Sequence, residues 1–454
     1  MEAAAATDEK LGLTPWLTFR IPSSFRKLVD KLKAITWKLK KIAEDDPRRI
    51  RHSLKVGLAL TVASISYYVN PFFSGLGAST MWAVLTVVVV MEYTAGATLS
   101  KGLNRAFATL LAGAVGVGAH RLAALAGEEW KPVFLSLFVF LLAAMATFSR
   151  FVPEIKARYD YGVLIFIMTF SLVAVSGYRV EELIQLAHQR LSTVAIGVAA
   201  CLAISIFVFP VWAGEDLHNL VASNLDKQAA FLEGVGKEYF EQKLANYKNL
   251  EGASFLTSYK TALNSKVIED SLANFARWEP GHGRFGFRHP WKQYLKICAL
   301  TRQCACSIDS LNTFISNQEK TQVVSDPEFQ QNIRTACSVM SSESGKTLAE
   351  LAGAIREMRS PFAAAGHLIN ATSMESSVKT MAPSQSATLS EVLFYATTVN
   401  LLLEVVRKVR RLLDAVEELA SIAEFKRPEQ AKSAAVKRAV EGESSPHVVV
   451  DMRG

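Results

Sequence analysis

The feature that most constrains this chain is a set of six long apolar stretches in its first half, none of which has an aspartate or glutamate in its core. A hydrocarbon layer of roughly 30 Å is crossed by about 20 apolar residues of helix, and only closed hydrogen-bonding structures can cross it. The sequence therefore predicts six transmembrane helices. Their predicted cores are residues 52–69, 72–91, 106–125, 133–149, 161–178 and 191–213.

These stretches divide the chain of 454 residues into four regions. The predicted fold class is an all-α membrane protein, with six transmembrane helices followed by a cytosolic helical bundle. Residues 1–51 are expected to be a cytosolic basic region with an amphipathic helix, and residues 52–213 the transmembrane domain. Residues 214–425 carry apolar residues at helical spacing, which predicts the cytosolic domain. Residues 426–454 lack a sustained apolar period and are predicted to be disordered.

Basic residues predict the orientation of the chain. The segment 25–55 contains eleven lysines and arginines, which are expected to hold it on the cytosolic side. With six spans, both termini are then cytosolic. The net charge of +8 is in part this topology signal and does not indicate nucleic-acid binding. The amphipathic helix in this segment fits two roles, either on the anionic inner leaflet or against the soluble domain.

No motif in the sequence supports an enzymatic reaction, a cofactor or a metal site. We find no nucleophile elbow, metalloprotease helix or Walker sequence, and the glycines of residues 113–118 lie inside an apolar stretch, where they suit helix packing. Cys304 and Cys306 are separated by one residue, which is poor spacing for zinc. We interpret all five cysteines as reduced, structural thiols. They are Cys201, Cys298, Cys304, Cys306 and Cys337.

Basic residues at the borders of the apolar stretches are the candidates for an anion pathway. A cation buried in a bilayer costs about 2.5 to 3.5 kcal/mol, so one that projects inward is expected to line water or bind an anion. Arg105 and Arg121 rank first because they lie on the glycine-rich third stretch. The full set of candidates is Lys101, Arg105, Arg121, Arg150, Arg158 and Arg190. The alternative for each is that it snorkels to lipid headgroups or sets topology.

The lack of carboxylates in the apolar stretches favours a passive channel over a coupled carrier. A proton-coupled transporter usually needs a titratable carboxylate within its spans, and the nearest acid here is Glu92, at the predicted cytoplasmic end of the second stretch. A negative-inside potential of about 100 mV drives each negative charge outward with about 2.3 kcal/mol, so no pump is required. A proton- or ion-coupled exporter of organic acids and a non-transporting membrane scaffold are the alternatives.

Nine short motifs follow one another along the chain and together carry a family resemblance. They are DPRR at residues 46–49, KVGLAL at 55–60, MWAV at 81–84, VMEY at 90–93, GATLSKGLNR at 96–105, YDYG at 159–162, PVWAG at 210–214, WEP at 278–280 and FRHPW at 287–291. In this order they resemble the plant aluminium-activated malate transporter family. The match covers about residues 45–300 and continues more loosely to about residue 425.

The resemblance implies a homodimeric anion channel with six transmembrane helices per subunit and a cytosolic helical domain. Members of that family carry malate, and often chloride or nitrate, across the plasma membrane or the vacuolar membrane; the plasma membrane is the expected location here. Glu279 lies in the family's Trp278-Glu279-Pro280 motif. Two roles for it are left as alternatives: it couples the cytosolic domain to gating, or it makes a structural contact in a turn. The expected partners are malate, inorganic anions, the lipid bilayer and a second subunit, without nucleic acid.

Overall fold

The computed structural model describes residues 23–68, 81–127, 129–175, 180–241, 255–318, 326–381 and 388–426. In these ranges the chain is helical, and its only β pairings are two isolated bridges. The predicted all-α class is therefore confirmed. The tail that is predicted to be disordered lies, beyond residue 426, outside the described residues.

The first half of the chain forms eight helices in the described residues. They are α1 (Ser23–Asp45), α2 (Pro47–Tyr68), α3 (Met81–Val90), α4 (Ala95–Leu125), α5 (Lys131–Ser149), α6 (Pro153–Arg158), α7 (Asp160–Val175) and α8 (Val180–Phe207). Helix α4 begins where the hydroxyl of Thr94 accepts the backbone N–H of Ala97 at 3.2 Å, because such a cap satisfies a donor that the first helical turn leaves free.

Four described helices are long and apolar enough to cross a membrane. Three of them, α4, α5 and residues 188–207 of α8, coincide with predicted spans. The apolar helices α3 and α7 are shorter, and the fourth long helix, Leu389–Ile422, lies in the second half. The described helices thus support a membrane protein, while the arrangement of six spans stays a prediction.

Helix α4 is the centre of the first bundle and packs against α7 and α8. A Cβ atom at Gly102 of α4 would lie 2.8 Å from Val198 of α8. Helix α8 also packs on α3, where a Cβ atom at Gly197 would lie 2.9 Å from the carbonyl oxygen of Ala83. These helices therefore approach closely because the residues at their crossings are small.

The rest of the chain leaves much of the apolar surface of α1 and α5 uncovered. No residue of α5 is buried. On α1, which contacts α2, the apolar side chains of Leu32, Ile35 and Leu39 are exposed. In water such apolar surface would be costly, so both helices present faces suited to lipid or to another subunit.

The second half forms a separate helical bundle. Its helices are α9 (Ala213–Gly234), which continues into a π-helix (Val235–Glu241), α10 (Lys266–Ala276), α11 (Trp291–Gln318), α12 (Pro327–Glu357), α13 (Ala364–Thr380) and α14 (Leu389–Ile422), with short turns at Phe255–Ser258 and Lys260–Leu263. Helix α12 packs on α9 and α13, and α14 packs on α11 and α12. One large core of buried apolar side chains joins these helices.

The long apolar helix α14 belongs to this bundle by its packing. Its apolar stripe, including Leu402, Val406 and Val409, is buried, whereas Arg407 and Arg410 on the other face are exposed. Length and mean hydropathy alone do not separate such a helix from a membrane span. The distribution of its charges around the helix does.

All five cysteines are free thiols, as the sequence predicted. Four of them are buried and Cys306 is exposed. Burial raises the pKa of Cys298, Cys304 and Cys337 to about 12, so these thiols stay protonated and inert in the core of the second bundle.

Candidate functional site

Every charged side chain that is buried in the described part of α2 to α8 is basic. These residues are Lys55 on α2, Arg105 on α4 and Arg190 on α8, with exposed fractions of 3%, 3% and 8%. Buried charges are normally paired, because the desolvation of a lone ion is expensive. None of the three has a carboxylate partner within the described residues, so this interior carries net positive charge.

Arg105 and Arg190, here called the arginine pair, line one small cavity between α3, α4, α7 and α8. The Nη1 atom of Arg105 donates to the hydroxyl of Tyr161 at 3.1 Å. The guanidinium of Arg190 lies 3.9 Å from the ring centre of Trp82, a cation–π contact. The buried Nε atoms of both arginines have no hydrogen-bond partner among the described residues.

The cavity at the arginine pair is narrow. Thr109 and Thr169 add hydroxyl groups to its wall, and its volume is about 10 Å³, which is room for about one water molecule. A dicarboxylate does not fit until the surrounding helices move apart. The geometry is that of a basic constriction, with donors that an anion can use as it passes.

A second polar site joins the two bundles at Glu279, whose side chain is 7% exposed. Its Oε1 atom accepts the backbone N–H of Ala213 at 2.6 Å, and its Oε2 atom accepts that of Gly214 at 3.0 Å. The backbone N–H of Gly96 also donates to this carboxylate. Glu279 therefore lies at the N-terminal ends of both α9 and α4, where the helix dipoles favour negative charge.

Close packing fixes the position of this carboxylate. A Cβ atom at Gly96 would lie 2.5 Å from the carbonyl oxygen of Phe275 and 2.8 Å from the side chain of Glu279. At Gly214 a Cβ atom would lie 2.5 Å from the ring of Trp291. Burial raises the pKa of Glu279 to about 7, although the three backbone N–H groups oppose this effect.

Two further contacts connect the bundles near Glu279. The backbone N–H of Ala95, the first residue of α4, donates to the carbonyl of Val211 at 2.9 Å. Arg48 of α2 forms an ion pair with Asp216 of α9 at 2.7 Å, and this carboxylate raises the pKa of Arg48. We refer to these contacts, together with those of Glu279, as the junction.

Comparison with known proteins agrees with this architecture. The family model described as "Aluminium activated malate transporter" matches residues 40–379. The chain is 51% identical over 416 residues to "Aluminum-activated malate transporter 1" of Triticum aestivum, with 90% of each chain covered. It is 45% identical to "Aluminum-activated malate transporter 2" of Arabidopsis thaliana, over 93% of this chain and 85% of that protein.

The chain belongs to the aluminium-activated malate transporter family. The resemblance found in the sequence is thereby confirmed. As a member of a transporter family, the chain is a membrane transporter and not an enzyme.

In this member of the family, two of the other predicted pore residues are already paired. The guanidinium of Arg150 makes two hydrogen bonds to the carboxylate of Asp160, at 2.6 and 3.1 Å. Lys101 forms an ion pair with Glu92, and its ammonium lies 5.6 Å from the ring centre of Tyr161. Both cations are half-buried, and their charges are balanced by these neighbours.

The remaining two candidates lie on the surface of the protein. Arg121 near the end of α4 and Arg158 at the end of α6 are both exposed. The carbonyl of Arg158 accepts a hydrogen bond from the side chain of Asn104 at 2.9 Å. Of the six residues predicted from the sequence, the structure therefore brings only Arg105 and Arg190 together in the interior.

Several residues at these sites were missed by sequence reasoning in this transporter. Lys55 was interpreted as a topology marker, although the residues that follow it in the sequence are apolar. Trp82 and Tyr161 were noted only as parts of family motifs. The aromatic rings within or next to the predicted spans are the signal that could have identified Trp82 and Tyr161, because such rings suit contacts with guanidinium and ammonium groups.

Proposed function

We propose that this chain is a passive anion channel that conducts malate, and with it chloride and nitrate. The observation that carries the proposal is the arginine pair, two buried guanidinium groups that lack carboxylate partners among the described residues. The curated relatives are named malate transporters, which supports malate as the cargo. Such a site attracts an anion and repels cations.

The arginine pair is proposed to be the selectivity constriction of the pore. An anion that replaces water in the cavity would satisfy the free Nε donors and lower the repulsion between two guanidinium groups in a medium of low dielectric. Because the carboxylate of malate matches the planar fork of arginine, it can bind one guanidinium with two hydrogen bonds. Lys55 adds positive potential elsewhere in the same bundle.

A coupled exporter is less well supported than a channel. A proton carrier needs a buried group that takes up and releases the proton. Among the described residues of α2 to α8, the buried titratable side chains other than the three cations are the thiol of Cys201 and the ring of His120, whose Nε2 atom lies 3.1 Å from the carbonyl oxygen of Val173. No buried carboxylate occurs in this part of the chain.

The junction is proposed to couple the second bundle to the pore. Glu279 binds the first turns of α4 and α9 at once, and α4 carries Arg105. A displacement of the second bundle therefore pulls directly on the helix that forms one wall of the constriction. The bond from the Trp278 N–H to the Phe275 carbonyl, at 2.9 Å, holds the turn that presents Glu279, and Pro280, whose ring fixes its backbone φ angle, follows directly.

We further propose a homodimer in the plasma membrane with both termini in the cytosol. The exposed apolar surface of α5 supports a lipid or subunit contact, and the basic segment before α2 supports the orientation. The second bundle is then cytosolic.

The test is a voltage-clamp experiment on cells that express the full chain, with malate, chloride or nitrate replaced on one side at a time. A channel predicts currents whose reversal potential follows the gradient of the permeant anion. A reversal potential that follows the proton gradient would instead establish the coupled exporter. Absence of current at normal surface abundance would contradict transport of these anions.

A further inference from the structure

A second cavity lies beside Glu279, outside the arginine pair. Its volume is about 390 Å³, which is within the range of sites for small molecules. Its wall is formed by the loop between α10 and α11 and the helix ends on either side, including His282, Phe285, His289 and Trp291.

The charges around this cavity are mostly positive. Arg277, Arg288 and Lys292 line it, and Glu279 is the one acid among its lining residues. The carboxylate of Glu279 is already engaged by backbone N–H groups. The three cations form no ion pair with a carboxylate in the described residues, so they are available to an anion from solution.

Two of these cations have unfavourable local surroundings. The backbone of Arg288 is left-handed, with φ of 63°, a conformation that is uncommon for residues other than glycine and costs energy. Its guanidinium lies 5.4 Å from the ring centre of Phe287. Arg277 is close enough to Arg158 of α6 that this neighbour, after burial, lowers the pKa of Arg277. A bound anion would relieve this repulsion.

The cavity lies at the end of the first bundle that we predict to face the cytosol. The side chain of Asn274, at the end of α10, donates to the carbonyl of Ala157 in α6 at 2.6 Å. Gly96, in the first turn of α4, packs against Glu279. Phe287 beside the cavity is 74% exposed. An apolar ring among cations is typical of a surface that meets lipid headgroups.

We propose that this cavity binds a phosphate group, carried by a lipid headgroup or by a soluble phosphorylated compound. A phosphate monoester brings a charge of about −1.5 to −2 and three acceptor oxygens in one compact group, which matches two guanidinium groups and one ammonium group better than a single carboxylate does. The His282 ring adds a buried Nε2 atom without a partner among the described residues. The proposal does not depend on which anions the channel conducts.

Binding to the purified full-length protein tests the proposal without any transport assay. The probes are inositol trisphosphate in solution and short-chain phosphatidylinositol bisphosphate in detergent micelles, with malate as a competitor. Saturable binding is expected for at least one phosphate probe. Tighter binding of the lipid indicates a headgroup site, and equal or tighter binding of the soluble probe indicates a soluble ligand.

Two substitutions of exposed lining residues, Arg288→Gln and Lys292→Gln, are each expected to weaken phosphate binding about tenfold or more. The matched control is Lys266→Gln, an exposed lysine of α10 that does not line the cavity, and it should bind like the unchanged protein. No saturable binding of either probe, unchanged binding by both cavity variants, or displacement by malate at equal concentration would overturn the proposal.

Discussion

The carboxylate of Glu279 accepts the backbone N–H of Gly214 at 3.0 Å, and the same carboxylate accepts the N–H of Gly96. One side chain of the second bundle therefore satisfies the first turns of two helices, one from each bundle. Because each turn would otherwise leave backbone donors free, Glu279 links the stability of the two bundles.

Close packing at Gly96 predicts a clear effect of a single methyl group. In Gly96→Ala the new Cβ atom would overlap the Phe275 carbonyl oxygen and the Glu279 side chain, so we expect a loss of about 1 to 3 kcal/mol of stability and a smaller malate current. The matched control is Gly118→Ala on the same helix, where nothing lies within 4 Å. Thermal unfolding should separate the two variants, and equal midpoints would contradict the close contact.

The raised pKa of Glu279 predicts a dependence of stability on pH. The carboxyl group of Glu279 holds its proton more tightly in the folded protein than in the unfolded chain. Its contribution to the free energy of unfolding is therefore fully present below pH 4.5 and is lost as the pH rises to about 7. In Glu279→Gln this loss should be absent. Unfolding midpoints measured across that interval, for the variant and the unchanged protein, test the effect; parallel curves would contradict it.

The arginine pair predicts that conduction depends on positive charge at Arg190. Arg190→Gln removes the charge and leaves the Trp82 ring without its cation, so we expect malate conductance to fall about tenfold or more. Arg190→Lys keeps the charge and should retain part of the conductance. The control is Arg121→Gln, at an exposed position. Single-channel recording at matched surface abundance gives the comparison, and equal conductance in all three variants would remove Arg190 from the pore.

The ion pair of Arg150 with Asp160 predicts a different outcome for that arginine. Arg150→Gln removes a half-exposed ion pair, which contributes little to stability because solvent screens it, and it removes no unpaired charge. Anion selectivity should therefore change little compared with Arg190→Gln. Reversal potentials in mixed malate and chloride solutions measure this, and a loss of selectivity as large as that of Arg190→Gln would place Arg150 in the pathway.

The sequence predicted the helical class and named both members of the arginine pair, because apolar length and basic helix borders are local signals. It did not predict that Arg105 and Arg190 meet, since contacts between distant helices depend on packing that periodicity does not encode. Arg150 and Arg105 looked alike in the sequence. The difference is Asp160, a neighbour that only the fold shows to be in reach.

The junction shows the same limit of sequence reasoning. The Trp278-Glu279-Pro280 motif was recognised, but its partners were not. Every residue except proline has a backbone N–H group, so the sequence does not show which of these groups bind Glu279. The apolar stripe of helix α14 packs into the core of the second bundle, whereas a criterion of length and hydropathy alone groups this helix with membrane helices. The position of charges around a helix was the more informative signal.

In the proposed channel, malate moves passively past Arg105 and Arg190, which have no carboxylate partner among the described residues. The most direct measurement is the reversal potential of the unchanged protein with malate, as the only permeant anion, at different concentrations on the two sides and at two external pH values at which malate keeps the same charge. We predict a reversal potential that follows the malate gradient and is the same at both pH values. A reversal potential that shifts with the proton gradient would contradict the channel and favour a coupled exporter.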